Sequence, residues 1–346
     1  MLRRLYILFS FIIFSSTAAL AANPFDGGWQ LEAESSTIGF LSVKKGTIAE
    51  YSEFATFSGV ITPEGQAEIV VALDSVDTKV DLRNVRMRFL FFETFKHKDA
   101  RVTAVIPPAQ IADLAQLHRK TIDLSVTLSL HGVDANVTAP ITLTLLDDNT
   151  VNVSTVQPII LSLADFDLLE GLSKLEEAAS VTITPVGIVS LDLTYKRAGS
   201  GGAAPVVAQV QTGGAAALET TGTFSREECV GRFEILSQSR SLNFPANKAI
   251  VTEDAKGFLD VLSDVVNRCP DLKIEVGGHT DAWGKADWNQ ELSRQRAVAV
   301  ASYLIDKGAN PARLIAIGYG ETAPLVDNDT AANRAKNRRI EFKVLN

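Results

Sequence analysis

Cysteine and histidine are scarce, at two and four in 346 residues. They leave little material for a zinc or haem site. Positive charge is also in deficit, with 33 Lys and Arg against 41 Asp and Glu, a net charge of −8. Such a chain is a poor general binder of phosphate backbones, so a nucleic-acid partner is not expected. After the first 21 residues no apolar run is long enough to cross a bilayer as a helix. What is present is 46% hydrophobic and 21% charged residues, a composition that folds. The length suits about two domains.

Residues 1–21 read as a signal peptide. Arg3 and Arg4 make a basic start, and from Leu5 to Phe14 only Ser10 is not apolar. The run is about half of what a membrane span needs. Ala19-Leu20-Ala21 offers a small-x-small cleavage site. Cleavage would remove two arginines and no acid. The expected location is the periplasm, with attachment to the cell wall and the outer membrane as a further option.

From Ala198 to Leu218 no residue is charged, and Gly199-Ser200-Gly201-Gly202 and Gly213-Gly214-Ala215-Ala216-Ala217 are typical of a linker. Residues 198–222 are therefore read as a Gly/Ala-rich linker between domains at 28–197 and 223–346. A linker of this kind is expected to let the first domain sample a volume around the second.

The first domain alternates. Ile122, Leu124, Val126, Leu128 and Leu130 share one strand face, with Asp123, Ser125, Thr127 and Ser129 on the other. Val137 to Leu145 and Val189 to Tyr195 repeat the pattern, and Leu168–Ala179 interrupts it as a short helix. Such runs predict half-buried antiparallel strands in a sandwich or a closed barrel. A barrel of about eight strands is either filled by side chains or holds one small ligand. Phe40, Phe54, Phe57, Phe89, Phe91, Phe92 and Phe95 crowd the first half, which on pattern alone reads as an ordinary core.

Trp29-Gln30-Leu31, Phe57-Ser58-Gly59-Val60-Ile61, Val76-Asp77-Thr78 and Asp81-Leu82-Arg83-Asn84 are followed by Phe91-Phe92-Glu93-Thr94-Phe95, Leu128-Ser129-Leu130-His131-Gly132-Val133 and Asp165-Phe166. In that order they resemble the YceI family. Asn84, Lys96 and Leu163 differ from the residues usual there. The resemblance implies an all-β, antiparallel, lipocalin-like barrel with a long apolar cavity for an isoprenoid or acyl lipid. Phe40, Phe57, Phe89, Phe92, Val126, Leu128 and Ile141 are the candidate lining.

The second domain mixes periods. Helices are expected over Glu227–Gln238, Asp254–Arg268 and Asp287–Lys307, with strands over 241–244, 273–276, 313–317 and 339–344. This is a two-layer α/β arrangement. Gly277-Gly278-His279-Thr280-Asp281 follows a strand, and Asn289, Ser293 and Arg296 share a face of the next helix. An Asp and an Arg across such a pocket suit a zwitterion, and equally suit a structural ion pair bracing a loop.

With Gly318-Tyr319-Gly320-Glu321 and Asn333-Arg334-Ala335 to Asn337-Arg338-Arg339-Ile340-Glu341, these residues resemble an OmpA-like peptidoglycan-binding domain. The resemblance implies non-covalent binding of stem-peptide diaminopimelate. Asp281 would take the ammonium and Arg296 the carboxylate, with Thr280, Asn289, Leu292 and Arg338 lining or bracing the pocket. Trp283 and Trp288 would stand at its rim. Cys229 and Cys269 both fall in this domain, and export to an oxidising compartment predicts that they pair.

His279 lies beside Asp281, but no motif supplies a nucleophile. His97, His118 and His131 share no motif and no metal-ligand spacing. No enzyme, metal or cofactor is expected. The reading is an envelope protein that grips peptidoglycan with one domain and holds a lipid in the other. Its rival is a purely structural wall anchor whose barrel is a solid core or a protein-docking module.

Overall fold

A computed structural model describes residues 23–198 and 222–345, apart from 240, 241, 243 and 246. The expected signal peptide and most of the expected linker lie outside the described residues. Among those described, no helix is long and apolar enough to cross a membrane.

The N-terminal unit contains β1 (Trp29–Leu31), β2 (Thr37–Lys44), β3 (Ile48–Phe54), β4 (Phe57–Ile61), β5 (Gln66–Ala72) and β6 (Val76–Asp77). Next come helix α1 (Asp81–Arg86), β7 (Asp99–Val105), the single turns α2 (Pro108–Ile111) and α3 (Leu114–Leu117), and β8 (Arg119–Leu130). It ends with β9 (Val133–Asp147), β10 (Thr150–Thr155), β11 (Ile159–Ser162), α4 (Leu169–Ala179) and β12 (Val186–Arg197).

The strands run β1-β4-β5-β7-β8-β9-β10-β12, and β1 also pairs with β12, which closes an eight-stranded antiparallel barrel. β12 carries the closure. Its second half pairs with β10 and β1, while its first half pairs with β2 and β11. β8 and β9 stay in register from Arg119↔Thr144 to Leu130↔Val133. The two-residue turn at His131-Gly132 sets that register, with φ of 54° and 80°, the left-handed pair that matches strand twist.

The sequence reading placed no helix between residues 81 and 91. There α1 continues as a π-helical stretch, Met87–Phe91. Asn84 fastens its start, its side-chain oxygen accepting from the Thr78 backbone N–H at 2.7 Å and from the Thr78 hydroxyl at 2.6 Å. α4 packs on this stretch.

The C-terminal unit contains α5 (Arg226–Ser239), α6 (Glu253–Arg268), β13 (Lys273–His279), α7 (Ala286–Asp306), β14 (Leu314–Gly320), α8 (Ala331–Asn337) and β15 (Ile340–Leu345). β13 is central, parallel to β14 and antiparallel to β15, and α5 and α7 pack on the sheet. The strand expected over 241–244 does not appear at Leu242 or Phe244, and its other two residues are not described. Phe258, Leu259, Leu262 and Val266 of α6 meet Ile274 and Val276 in a core that is at most 1% exposed. α6 ends just before Pro270, which cannot continue it, and Arg313 also donates to the carbonyls there, to Val266 O at 3.0 Å and Cys269 O at 2.5 Å.

The two units touch. The Phe95 ring meets Phe258 edge-on at 5.5 Å. A Cβ at Gly257 would lie 2.8 Å from Phe95 O, and one at Gly231 would lie 2.8 Å from Leu82 Cδ1. Helices α5 and α6 thus sit directly on the helical cap of the barrel. In this arrangement the barrel rests against its partner domain, whereas the linker composition suggests that it can sample a volume around it. Edge-to-face ring packing and buried apolar area favour the docked arrangement.

Cys229 and Cys269 form the expected disulfide, 40 residues apart in sequence. It joins α5 to the residue after α6, so both docking helices are held at one point. Replacing both cysteines by Ala should cost roughly 4 kcal/mol in the chain-entropy picture. Thermal melting of the C-terminal unit checks this, and mass spectrometry of the non-reduced protein should find no free thiol.

Glu341 of β15 carries a pH signature. Its carboxylate lies 3.5 Å from the His279 ring and 2.6 Å from Arg339 Nε. Against the effect of burial, these two hold its pKa down at about 2, below the usual 4.5. Because the folded value is depressed, the contribution is complete above pH 4.5 and is lost as pH falls towards 2. Acid titration of unfolding should show this slope in the wild type and a flatter one in Glu341→Gln.

Candidate binding sites

The barrel encloses a cavity of about 550 Å³ with an almost wholly apolar wall. Strand alternation builds it. Ile122, Leu124, Val126, Leu128 and Leu130 of β8 all face it, as do Val137, Ala139, Ile141 and Leu143 of β9. Of the candidate lining residues, Phe40, Phe92, Val126, Leu128 and Ile141 border the space.

Phe57 and Phe89 do not border it, although both are buried. Phe89 sits on the π-helical stretch, two residues from both Met87 and Phe91, which do face the cavity. Helical spacing turns it to the opposite side. Phe57 is the first residue of β4, at the barrel's end, where it fills solid core instead.

One part of the wall is polar, which the sequence did not disclose. Glu50 is 2.5 Å from Lys44 Nζ and 2.7 Å from Arg83 Nη1. Arg83 also donates to Thr78 O at 2.6 Å. Arg86, one turn along α1, has a buried Nε with no hydrogen-bond partner among the described residues. Lys44, Arg83 and Arg86 thus set three cations against one carboxylate at the cavity wall.

The second site is the turn between β13 and α7. Two glycines allow it. A Cβ at Gly278 would fall 2.1 Å from Ser293 O, and one at Gly318 would fall 2.5 Å from Arg294 N. The helix therefore lies against bare backbone of two neighbouring strands. Ser293 Oγ completes the seam by accepting from Gly320 N at 2.9 Å.

Six residues were expected here, and the fold brings them together. Asp281 Oδ2 pairs with Arg338 Nη1 at 2.5 Å, and Oδ1 accepts from Trp283 N at 3.0 Å. Asn289 Nδ2 donates to Asp281 O at 3.2 Å, Trp283 O at 3.0 Å and Glu321 Oε2 at 2.7 Å, so it organises the turn. Thr280 is buried, and its hydroxyl has no partner among the described residues. Leu292 is buried on the same helix.

Arg296 donates to Lys248 O at 3.0 Å and Pro245 O at 3.3 Å. Burial and the Arg338 charge lower its pKa, and Asp281 opposes them. The direct partner of Asp281 is thus Arg338, which is 47% exposed, while Arg296 lies deeper. Trp283 and Trp288 are 74% and 55% exposed, and Arg334 lies 5.1 Å from the Trp283 ring centre.

His279 stacks on Tyr319 at 4.9 Å. The Tyr319 hydroxyl donates to Glu275 at 2.6 Å, which pushes its pKa up to about 12. Asn337 was seen in sequence only as part of a motif. It is fully buried, accepts from Leu325 N and Val326 N, and donates to Asn328 Oδ1, whose oxygen also receives Ala282 N. It fixes the loop that faces Asp281.

Residues 29–195 match the family model for the YceI-like domain, and residues 243–338 match that for the OmpA family. Outer membrane porin F of Pseudomonas fluorescens is 38% identical over 111 residues, 32% of this chain and 34% of that protein. Peptidoglycan-binding protein ArfA of Mycobacterium tuberculosis is 38% identical over 87 residues, 25% of this chain and 27% of that protein. The chain spans about a quarter to a third of the length of such curated relatives. Among solved structures, a polyisoprenoid binding domain from Saccharophagus degradans is 31% identical, with a TM-score of 0.46. The match covers 49% of this chain and 98% of that one. On the two family-model matches, the chain carries a YceI-like domain at 29–195 followed by an OmpA family domain at 243–338.

Proposed function

We propose that this is a periplasmic envelope protein that binds peptidoglycan through its C-terminal domain and holds an isoprenoid or acyl chain in its barrel. The observation that carries the reading is a single chain with two built sites, one apolar inside the barrel, one charged beside the exposed Trp283 and Trp288.

In the C-terminal site the Asp281 carboxylate takes the ammonium of diaminopimelate, and the Arg296 and Arg338 guanidinium groups take its carboxylate. Thr280, Asn289 and Leu292 shape the pocket. The exposed faces of Trp283 and Trp288 offer stacking area for neighbouring sugar or peptide. The protein named peptidoglycan-binding among the relatives supports this reading.

In the barrel, the cavity volume bounds the ligand. A dry 150 Å³ cavity accepts benzene, so about 550 Å³ encloses roughly twenty carbon atoms. A longer isoprenoid would leave its remaining units outside. Lys44, Arg83 and Arg86 favour an anionic headgroup. The rival reading of a solid barrel core is disfavoured by the cavity itself. A protein-docking role for the barrel remains a measurable outcome.

Purified sacculi should pellet the protein. Asp281→Ala and Arg296→Ala should each lower the affinity about tenfold or more, with circular dichroism showing that the domain stays folded. Undiminished pelleting of both variants would sink the proposed pocket. Organic extraction followed by mass spectrometry should release a long-chain lipid. Arg83→Gln combined with Arg86→Gln should reduce binding of an anionic isoprenyl phosphate more than of the neutral alcohol. A protein that carries no lipid and rejects both probes favours the docking role.

A further inference from the structure

Outside both sites, the fold gathers three donors that the chain keeps apart. Glu93 and His97 stand in the turn that follows the π-helical stretch, and His131 stands at the tip of the β8–β9 hairpin. One donor atom from each lies within 4.8 Å of the others. His97 and His131 have ring centres 4.2 Å apart, and His131 Nε2 is 3.8 Å from Glu93 Oε2. Both ring nitrogens of His131 are buried without a hydrogen-bond partner among the described residues. A buried polar group left in that condition costs free energy and calls for a partner. Sequence spacing had shown no metal-ligand motif here, because the third donor comes from a distant hairpin.

We propose that Glu93, His97 and His131 bind a divalent transition ion of the zinc class. Two imidazoles and a carboxylate are a zinc donor set, with a fourth position left for water. At metal–ligand distances of about 2.0–2.1 Å, tetrahedral ligands stand roughly 3.3 Å apart. The present donors need to close by about 1.5 Å at most, within the reach of side-chain rotation.

Two ammonium groups compete for the carboxylate. Lys96 Nζ is 3.3 Å from Glu93 Oε2 and Lys174 Nζ is 3.5 Å from Oε1. Lys174 has an alternative partner in Glu170 at 3.1 Å, and Lys96 is substantially exposed, so both can give way to an ion. The ion would tie the hairpin tip to the 93–97 turn. Phe95, in the middle of that turn, is the residue that meets Phe258 of the other domain. Metal at this point would fasten the seam between the two units.

The test uses the untagged mature chain, titrated with Co²⁺ as a spectroscopic stand-in and with Zn²⁺ by calorimetry. One equivalent should bind, with the visible bands of a tetrahedral Co²⁺ site. His97→Ala and His131→Asn should each lower affinity at least tenfold, the Asn chosen because it tolerates left-handed backbone. Lys174→Met should raise affinity, and Zn²⁺ should raise the melting temperature of the wild type but not of His131→Asn. Absence of stoichiometric binding, or binding that survives both histidine substitutions, overturns the proposal and leaves the cluster as an ion-pair brace.

Discussion

The need of every sheet edge for a partner organises the N-terminal half of this protein. An open edge leaves a row of unpaired backbone groups, and closure removes it. Here closure depends on β12, whose twelve residues pair with β10 and β1 at one end and with β2 and β11 at the other. Once the barrel is closed, alternation along each strand sends one set of side chains inward. Because that set is apolar and mostly medium-sized, the interior is apolar and only partly filled. The cavity follows from strand pairing together with side-chain volume.

The same closure leaves an end to be covered, and helices cover it. α1, the π-helical stretch and α4 form the cap, and the cap is where the barrel meets the C-terminal domain. Leu82 faces the cavity and also touches Gly231 of α5. One residue therefore stands between the enclosed space and the neighbouring domain. The disulfide holds α5 and α6 together on that surface. Packing at the cap, the apolar cavity and the orientation of the second domain are thus mechanically linked through a few side chains.

In the second domain the constraint is close approach. Bare glycine backbone at 278 and 318 lets α7 settle against β13 and β14, which puts the start of that helix beside the end of the strand. Asp281 then stands within a turn already organised by Asn289, and opposite a loop fixed by Asn337. Charges held in place by such supports lose little freedom when a ligand arrives. The guanidinium groups are divided between an exposed one on Asp281 and a deeper one anchored on the Pro245–Lys248 backbone.

Local chemistry made much of this readable from the chain. Period-two alternation from Ile122 to Leu130 determined an inward face, and every one of those five residues borders the cavity. Two cysteines behind an expected export signal predicted a disulfide, and Cys229 and Cys269 pair. The strand, turn and helix around Asp281 determined a shared face for Asn289 and Arg296. What tertiary structure decided is whatever depends on residues far apart in sequence. Phe57 and Phe89 look like their neighbours in sequence, yet only the barrel's end and the helical cap set which way they face. The polar group of Lys44, Glu50, Arg83 and Arg86 joins strands to a helix that periodicity did not reveal. Glu93, His97 and His131 meet only because a hairpin folds back onto a turn. Sequence patterns report the preferences of a local segment, whereas these contacts exist only after closure has paid the entropy of bringing distant segments together.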